Sequence, residues 1–398
     1  MRILVTSIVD IKKAAHNRVH QFIKYLSQNH SLTVLSINDW WKWQQTDIKL
    51  YQQGFEHILQ GVNLKYLTER RISPILQEVS SVITLTMHRK EVDYERFNAH
   101  LNYNTLISGY FVARKMKSLG IETVYDIADD LPQMIRISPQ LPPLLRPLGR
   151  LIGDIMLRKN INIARRITFT SNTLKNSYRI PESKSEHIPN GVDTELFKNY
   201  PSQRLKEQLG IHQDFVIGYV GVLREWVEFE PVFAALEALG ENYPNLRVLV
   251  IGEEGGLEKT KDLARRHRIS DKVIFSGTVP YTQVPEYISC MDICLIPRKP
   301  NPVSEKMLPL KLFEYMACEK PVISTRLRGI MEAVQNRVVY ASTEKEYQEA
   351  IVKLYNREEL RGEIGREGRR FVEKNYSWQS AASRLEEILK EVSRKGRR

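Results

Sequence analysis

Cysteine is scarce in this chain. Its three residues, Cys290, Cys294 and Cys318, fall inside expected helix or strand, which excludes a disulfide framework and leaves Cys290-x-x-x-Cys294 without the second pair that a zinc site needs. Buried thiols in a reducing cytoplasm are the expectation. No run of about eighteen apolar residues occurs, so no segment is expected to cross a membrane. The chain opens Met-Arg-Ile-Leu-Val-Thr, directly into a strand, with no sign of a secretory leader. Basic residues do not alternate with aromatics along any strand and no nucleic-acid module is recognisable, so nucleic acid is not an expected partner.

What is present is an ordinary globular composition, 42% hydrophobic and 27% charged. The 398 residues suit two domains of roughly 100–200 residues each. A net charge of +12 is the one unusual bulk property and points to an acidic substrate or an anionic membrane surface.

Arg2 to Thr6 reads as a strand, and Val19, Phe22, Ile23 and Leu26 recur at helical spacing after it. Leu32 to Ser36 reads as a second strand. Trp40, Trp41 and Trp43 follow with Lys42 among them, a cluster suited to a lipid headgroup layer, to stacking on a sugar, or to packing under a loop. From there to Asn104 the sequence is polar, basic and poorly periodic, and yields no clear elements. Thr123 to Ile127 is a strand running into three carboxylates, Asp126, Asp129 and Asp130, and ligands bind at such strand ends in open α/β sheets. Between Pro139 and Arg166, Leu144, Leu148, Leu151 and Ile155 are interleaved with Arg146, Arg150 and Arg158. That pattern suits either an anionic bilayer surface or a helix packed on a sheet. Ile167 to Ser171 is a further strand.

A second alternation begins near Phe197, with strands at Phe215 to Val220, Arg247 to Ile251, Val273 to Phe275 and Ile293 to Pro297, the last followed at its C-terminal end by Arg298 and Lys299. Leu360 to Ser393 is helical, broken at Tyr376-Ser-Trp378, and Arg394 to Arg398 is a basic end expected to be disordered.

The chemistry concentrates in Leu308 to Ser324, where a turn, a helix and a strand follow in seventeen residues. Pro309 presets the first helical turn, Leu310, Phe313, Met316 and Ala317 give one apolar face, Pro321 stops the helix, and Val322-Ile-Ser324 is a buried strand. A helix opening with Lys311 offers backbone N–H groups, the positive end of its dipole and an ammonium to an anion. Glu314, a turn further in, is placed to accept a pair of sugar hydroxyls. A nucleoside diphosphate has that layout.

This segment resembles the donor-binding motif of the family 4 (group 1) retaining glycosyltransferases. Ile188 to Phe197 resembles their interdomain signature, Gly252-Glu-Glu-Gly255 their second-domain glycine loop, and Val273 to Pro280 their base-binding strand and loop. The resemblance implies an α/β chain of the GT-B fold. Two facing Rossmann-like domains would take residues 1–193 for the acceptor and 194–375 for the nucleotide sugar, and 376–398 would form a helix crossing back to the first domain and a basic tail. It further implies Lys311 at the diphosphate and Glu314 at the ribose, with Leu310, Gly221, Arg224, Gly252, Val279 and Tyr281 completing the donor site. Asp129 would lie near the reaction centre, and Arg18 and Asp126 on the acceptor side.

Four departures stand out. Ala14-Ala15 replaces a usual glycine pair; Val222 and Val227 occupy the places of an Arg and a Lys that relatives hold against the diphosphate; Lys306 stands where the first Glu of a Glu pair belongs, with Glu305 one residue away; and Glu319 replaces a common Gly. No Asp-x-Asp motif occurs, the device by which transferases of the other fold hold a metal, so metal-independent transfer without a cofactor is implied. The expected function is transfer of a sugar from a nucleotide-diphosphate donor to a glycan or lipid-linked acceptor in surface polysaccharide or glycolipid synthesis, from the cytoplasm and on the inner face of the membrane. The alternatives are a sugar-nucleotide epimerase of the same fold and an inactive nucleotide-sugar-binding scaffold.

Overall fold

The computed structural model of the chain describes residues 1–14, 16–39, 58–87, 92–138, 140–252 and 256–395. It divides into two compact units, one of Met1–Asn190 with Trp378–Arg398 and one of Gly191–Ser377. The division falls three residues before the sequence-based boundary, and the return two residues after it.

The first unit carries a seven-stranded parallel sheet in the order β3-β2-β1-β4-β5-β6-β7. Its strands are β1 (Arg2–Ser7), β2 (Ser31–Ser36), β3 (Asn63–Tyr66), β4 (Ala99–Tyr103), β5 (Thr123–Ile127), β6 (Arg166–Phe169) and β7 (Ser185–His187). Helices α1 (Arg18–Leu26), α2 (Pro74–Met87), α3 (Ile107–Ser118), α4 (Leu131–Ile137) and α5 (Arg146–Ile163) connect them. Strand β4, which sequence pattern did not reveal, lies beside β1 with all five residues buried. Its polar side chains are satisfied across the sheet: His100 sits 3.1 Å from the hydroxyls of both Thr6 and Thr123, and Asn102 donates to Asn160 at 2.9 Å. Burial pushes the His100 imidazole down to about 3, so this network is held by a neutral ring.

Helix α1 starts on a reciprocal cap, in which the Asn17 side chain accepts from the Val19 N–H at 3.1 Å and the Asn17 N–H donates to His20 Nδ1 at 3.2 Å. The start of α1 is buried: Arg18, His20 and Gln21 are all covered, which excludes a solvated helix end.

The second unit carries a six-stranded parallel sheet in the order β10-β9-β8-β11-β12-β13. The strands are β8 (Phe215–Val220), β9 (Leu246–Ile251), β10 (Val273–Gly277), β11 (Ile293–Ile296), β12 (Val322–Ser324) and β13 (Val339–Tyr340). Counted from its first strand this is the order 3-2-1-4-5-6, which reverses between β8 and β11 and opens a crevice at their C-terminal ends. Its helices include α6 (Glu230–Leu239), α7 (Leu310–Ala317) and α8 (Glu358–Asn375).

Helix α9 (Trp378–Lys395) belongs to the first unit. Trp378 meets Phe22 edge-on at 6.0 Å, and Leu385, Ile388, Leu389 and Val392 are buried. Pairs from Glu386 to His30 (2.7 Å) and from Glu391 to Arg166 (3.0 Å) fix its register on the sheet. All three cysteines are free and buried. Among the described residues no helix is long and apolar enough to cross a membrane.

Candidate functional site

Strands β8 and β9 end on glycines whose backbones only glycine adopts readily, Gly221 at φ +124° and Gly252 at φ +113°. Each makes room for a neighbour. A Cβ on Gly252 would stand 2.7 Å from the Gly221 carbonyl oxygen, and one on Gly221 would stand 2.7 Å from Lys311 Nζ. The space above Gly221 is thus reserved for the lysine ammonium, which lies 3.8 Å from the centroid of the Tyr219 ring.

Lys311 reaches this place because α7 starts immediately before it. Pro309 at φ −70°, ψ 135° caps the helix, and the Tyr315 hydroxyl accepts from the Val220 N–H at 2.8 Å, tying α7 to the end of β8. The sequence pattern suggested one apolar face; the helix is buried nearly all round, with Leu312 and Tyr315 covered and Leu310 half-exposed at the opening turn.

A second cation stands beside Lys311. Strand β11 pairs with β8 as Ile293↔Ile217 and Cys294↔Gly218, and Arg298 follows two residues after its end. Arg298 is buried, its backbone bridged to Val227 and its N–H donating to Thr325 Oγ1 at 3.1 Å. The sequence places a cation at this strand end, and the structure sets it opposite Val227, one of the two places where the resemblance implies a cation. Burial, then the Arg298 guanidinium, hold the Lys311 ammonium well below its usual range, while Glu314 opposes the shift. Arg224 is exposed on the loop after Gly221 and, with Arg298, acts on Tyr219.

Glu314 is buried, and the Tyr281 hydroxyl donates to its Oε1 at 3.4 Å. Desolvation raises its carboxyl to about 7. Tyr281 itself packs on Phe197 at 5.4 Å between ring centres. Val279 packs its side chain into the core of the unit, so only its main chain is available to a ligand. Lys311, Arg298, Glu314, Tyr281 and the two glycines therefore converge on the C-terminal ends of β8 and β9, beside the reversal of strand order.

Glu305 does not substitute for the missing first glutamate. Its Oε2 accepts from the Arg328 N–H at 2.9 Å and caps the short helix Arg328–Val334. Glu253, Glu254 and Gly255 of the glycine loop lie outside the described residues, as do Ala15, the tryptophan cluster at 40–43 and residues 396–398.

In the first unit the three carboxylates after β5 separate. Asp126, fully buried, takes Arg18 in a two-point ion pair at 2.8 and 2.9 Å and also accepts from the Thr168 hydroxyl. Arg18 Nη1 donates in addition to the Pro189 carbonyl at 3.0 Å. Arg18 and Asp126, expected on the acceptor side, are both buried and turned on each other, and this pairing joins α1 to β5 and to the end of the unit. Asp130 caps α4, accepting from the Gln133 N–H at 3.1 Å. Asp129 is the part-exposed member of the set, on the turn between β5 and α4.

Residues 201–371 match the family described as glycosyl transferases group 1. That stretch is similar to group 1 glycosyltransferases. The chain is 29% identical over 167 residues to the putative teichuronic acid biosynthesis glycosyltransferase TuaH of Bacillus subtilis, covering 41% of this chain and 40% of that one. It is 25% identical to the lipopolysaccharide 1,2-N-acetylglucosaminetransferase of Salmonella typhimurium over 56% of this chain and 62% of that one. The matches thus span about two fifths to three fifths of these relatives. The fold extends further. Sucrose-phosphate synthase from Thermosynechococcus elongatus superposes with a TM-score of 0.75 over 98% of this chain and 99% of that one at 16% identity, and Anabaena HepE in complex with UDP does so at 0.73 over 98% and 100%, also at 16% identity. Both units of the expected GT-B architecture are thereby accounted for, and the family match lies within the second.

Proposed function

We propose that the chain transfers a sugar from a nucleoside-diphosphate donor to a glycan or lipid-linked acceptor at an anionic membrane surface, with retention of configuration and without a metal. The observation that carries this reading is the pairing of Lys311 with Arg298 above Gly221, next to the buried carboxylate of Glu314. Two cations that disfavour each other in a desolvated place gain from an anion set between them. Charge developing on a departing diphosphate is such an anion, and each charge-assisted contact contributes roughly 1.5–3 kcal/mol. Glu314 accepts ribose hydroxyls, with Tyr281 holding its carboxylate. Asp129, part-exposed just past the C-terminal end of β5 where ligands bind in open α/β sheets, is the carboxylate assigned to the reacting sugar. The relatives, one named for teichuronic acid biosynthesis and one a lipopolysaccharide N-acetylglucosaminetransferase, support an envelope glycan as the acceptor class, and a neighbour solved with UDP-glucose supports a nucleotide sugar as donor.

The test is a thermal-shift screen against UDP, GDP, ADP and dTDP and their sugar conjugates, followed by a transfer assay with the donor it selects. One nucleotide series should stabilise the wild type and fail to stabilise Glu314→Ala. Lys311→Ala and Arg298→Ala should each lower turnover by about tenfold to a hundredfold, from the loss of one charged contact, while Arg394→Ala leaves it unchanged. Activity that disappears with a chelator would refute the metal-free mechanism. Equal activity of Lys311→Ala and Arg394→Ala would refute the site.

A further inference from the structure

We infer that the outward faces of α2 and α5 form the surface by which this chain docks on an anionic lipid bilayer. The inference rests on the reading of the acceptor as membrane-borne and supplies the contact that reading lacks. Of the eleven large apolar side chains exposed among the described residues, ten lie on α2, at the end of α4, or between Leu144 and Ile155 at the start of α5. Soluble surfaces rarely gather them so.

Helix α2 is inverted with respect to water. Leu76, Val79 and Ile83, spaced three and four apart on one stripe, are 54%, 52% and 61% exposed, while Gln77, Glu78 and Ser81 are buried. The inward face is polar for a reason. Glu78 accepts from the Ile107 and Ser108 N–H groups at 2.8 and 3.1 Å and caps α3, and the Gln77 amide donates to the Asn38 and Ile72 carbonyls at 2.6 and 2.9 Å. These bonds turn the apolar stripe outward and leave Glu78, the only charged residue of α2, pointing in.

Helix α5 repeats the arrangement, with Leu148, Leu151 and Ile155 exposed on one face and Met156, Leu157 and Ile161 buried on the other; Leu144, just before it, is 92% exposed. The two helices converge on the start of α3, where Asn160 of α5 donates to the Leu106 carbonyl at 2.7 Å one residue before the group capped by Glu78.

Charge selects the occupant. Between Leu131 and Arg166 the sequence holds seven cations and a single acid, Asp154. Arg70 and Arg71 are exposed just ahead of α2. Apolar stripes of helical spacing bordered by cations match acyl chains beneath an anionic headgroup layer, with the helices lying in the interface and not across it.

The experiment is co-sedimentation of the full chain with vesicles of phosphatidylglycerol and phosphatidylcholine, and with phosphatidylcholine alone. Strong binding is expected only to the former. Val79→Ser with Ile83→Ser, and separately Leu148→Ser with Leu151→Ser, should each weaken it by about tenfold or more, since each pair withdraws two side chains from an apolar phase. Arg150→Glu with Arg158→Glu should weaken it without touching the apolar stripe. Equal binding to both vesicles, or binding to neither, overturns the inference. So does a wild-type dimer that either serine pair converts to monomer, because the face would then join two copies of this chain. The nucleotide thermal shift of the serine variants should equal that of the wild type. Vesicle binding without any nucleotide response would instead sink the donor reading and leave the docking surface standing.

Discussion

Glu314 illustrates what a site residue costs the fold that holds it. Its carboxyl titrates at about 7 in the folded chain, against an ordinary value of 4.5, because burial disfavours the charged form. Between those two values the folded chain keeps the proton and the unfolded chain releases it. Stability therefore falls as pH rises through that window, and above pH 7 the loss is complete, at roughly 3 kcal/mol. Glu314→Gln removes the ionisation. The variant should be more stable than wild type at pH 8, with the difference fading by pH 5, when both are followed by denaturant unfolding. A difference independent of pH would mean that the carboxylate is not the origin of the cost. Donor binding should vanish in the same variant, since the glutamine amide places a donor where a hydroxyl needs an acceptor. Asp126 differs in that its buried side chain already has a charged partner, Arg18, at 2.8 Å.

At the scale of elements, α7 ends in a motif usually made with glycine. Glu319 sits in the left-handed region at φ +58°, its N–H donating to the Met316 carbonyl at 3.1 Å and the Lys320 N–H to the Tyr315 carbonyl at 3.0 Å. An L side chain there costs roughly 1–2 kcal/mol, part of which glycine would return as freedom of the unfolded chain. Glu319→Gly is expected to raise stability by roughly 0.5–1 kcal/mol, read as a higher denaturation midpoint at unchanged slope; a lower midpoint would show that the glutamate side chain has a role of its own. The neighbourhood of α7 was legible in sequence because each boundary has a local cause: Pro309 at the start, Pro321 after the end, apolar residues between. Strand β4 was not, because His100 and Asn102 interrupt the apolar pattern and find their partners on β1, β5 and α5 and at Thr105. Helix α2 was not, because its polarity is reversed. Arg298 was visible as a cation at a strand end, but its position beside Lys311 depends on a sheet order that no stretch of sequence contains.

At the scale of the whole molecule, the first unit is discontinuous and the second is not. Residues 191–377 expressed alone should fold cooperatively and give a single unfolding transition. Residues 1–190 alone should expose Phe22 and the surface that α9 covers, and should aggregate unless a peptide of residues 378–395 is supplied. Cooperative folding of 1–190 without that peptide would show α9 to be dispensable. The chain leaves the first unit at Asn190 and regains it at Trp378, and side by side at the crossing the Val192 N–H donates to the Tyr376 carbonyl at 2.7 Å. During translation, then, the part made first is completed last. The emerging N-terminal sheet must wait, with one face uncovered, while the entire second unit is synthesised and folds, and the ribosome delivers the helix that seals it only afterwards.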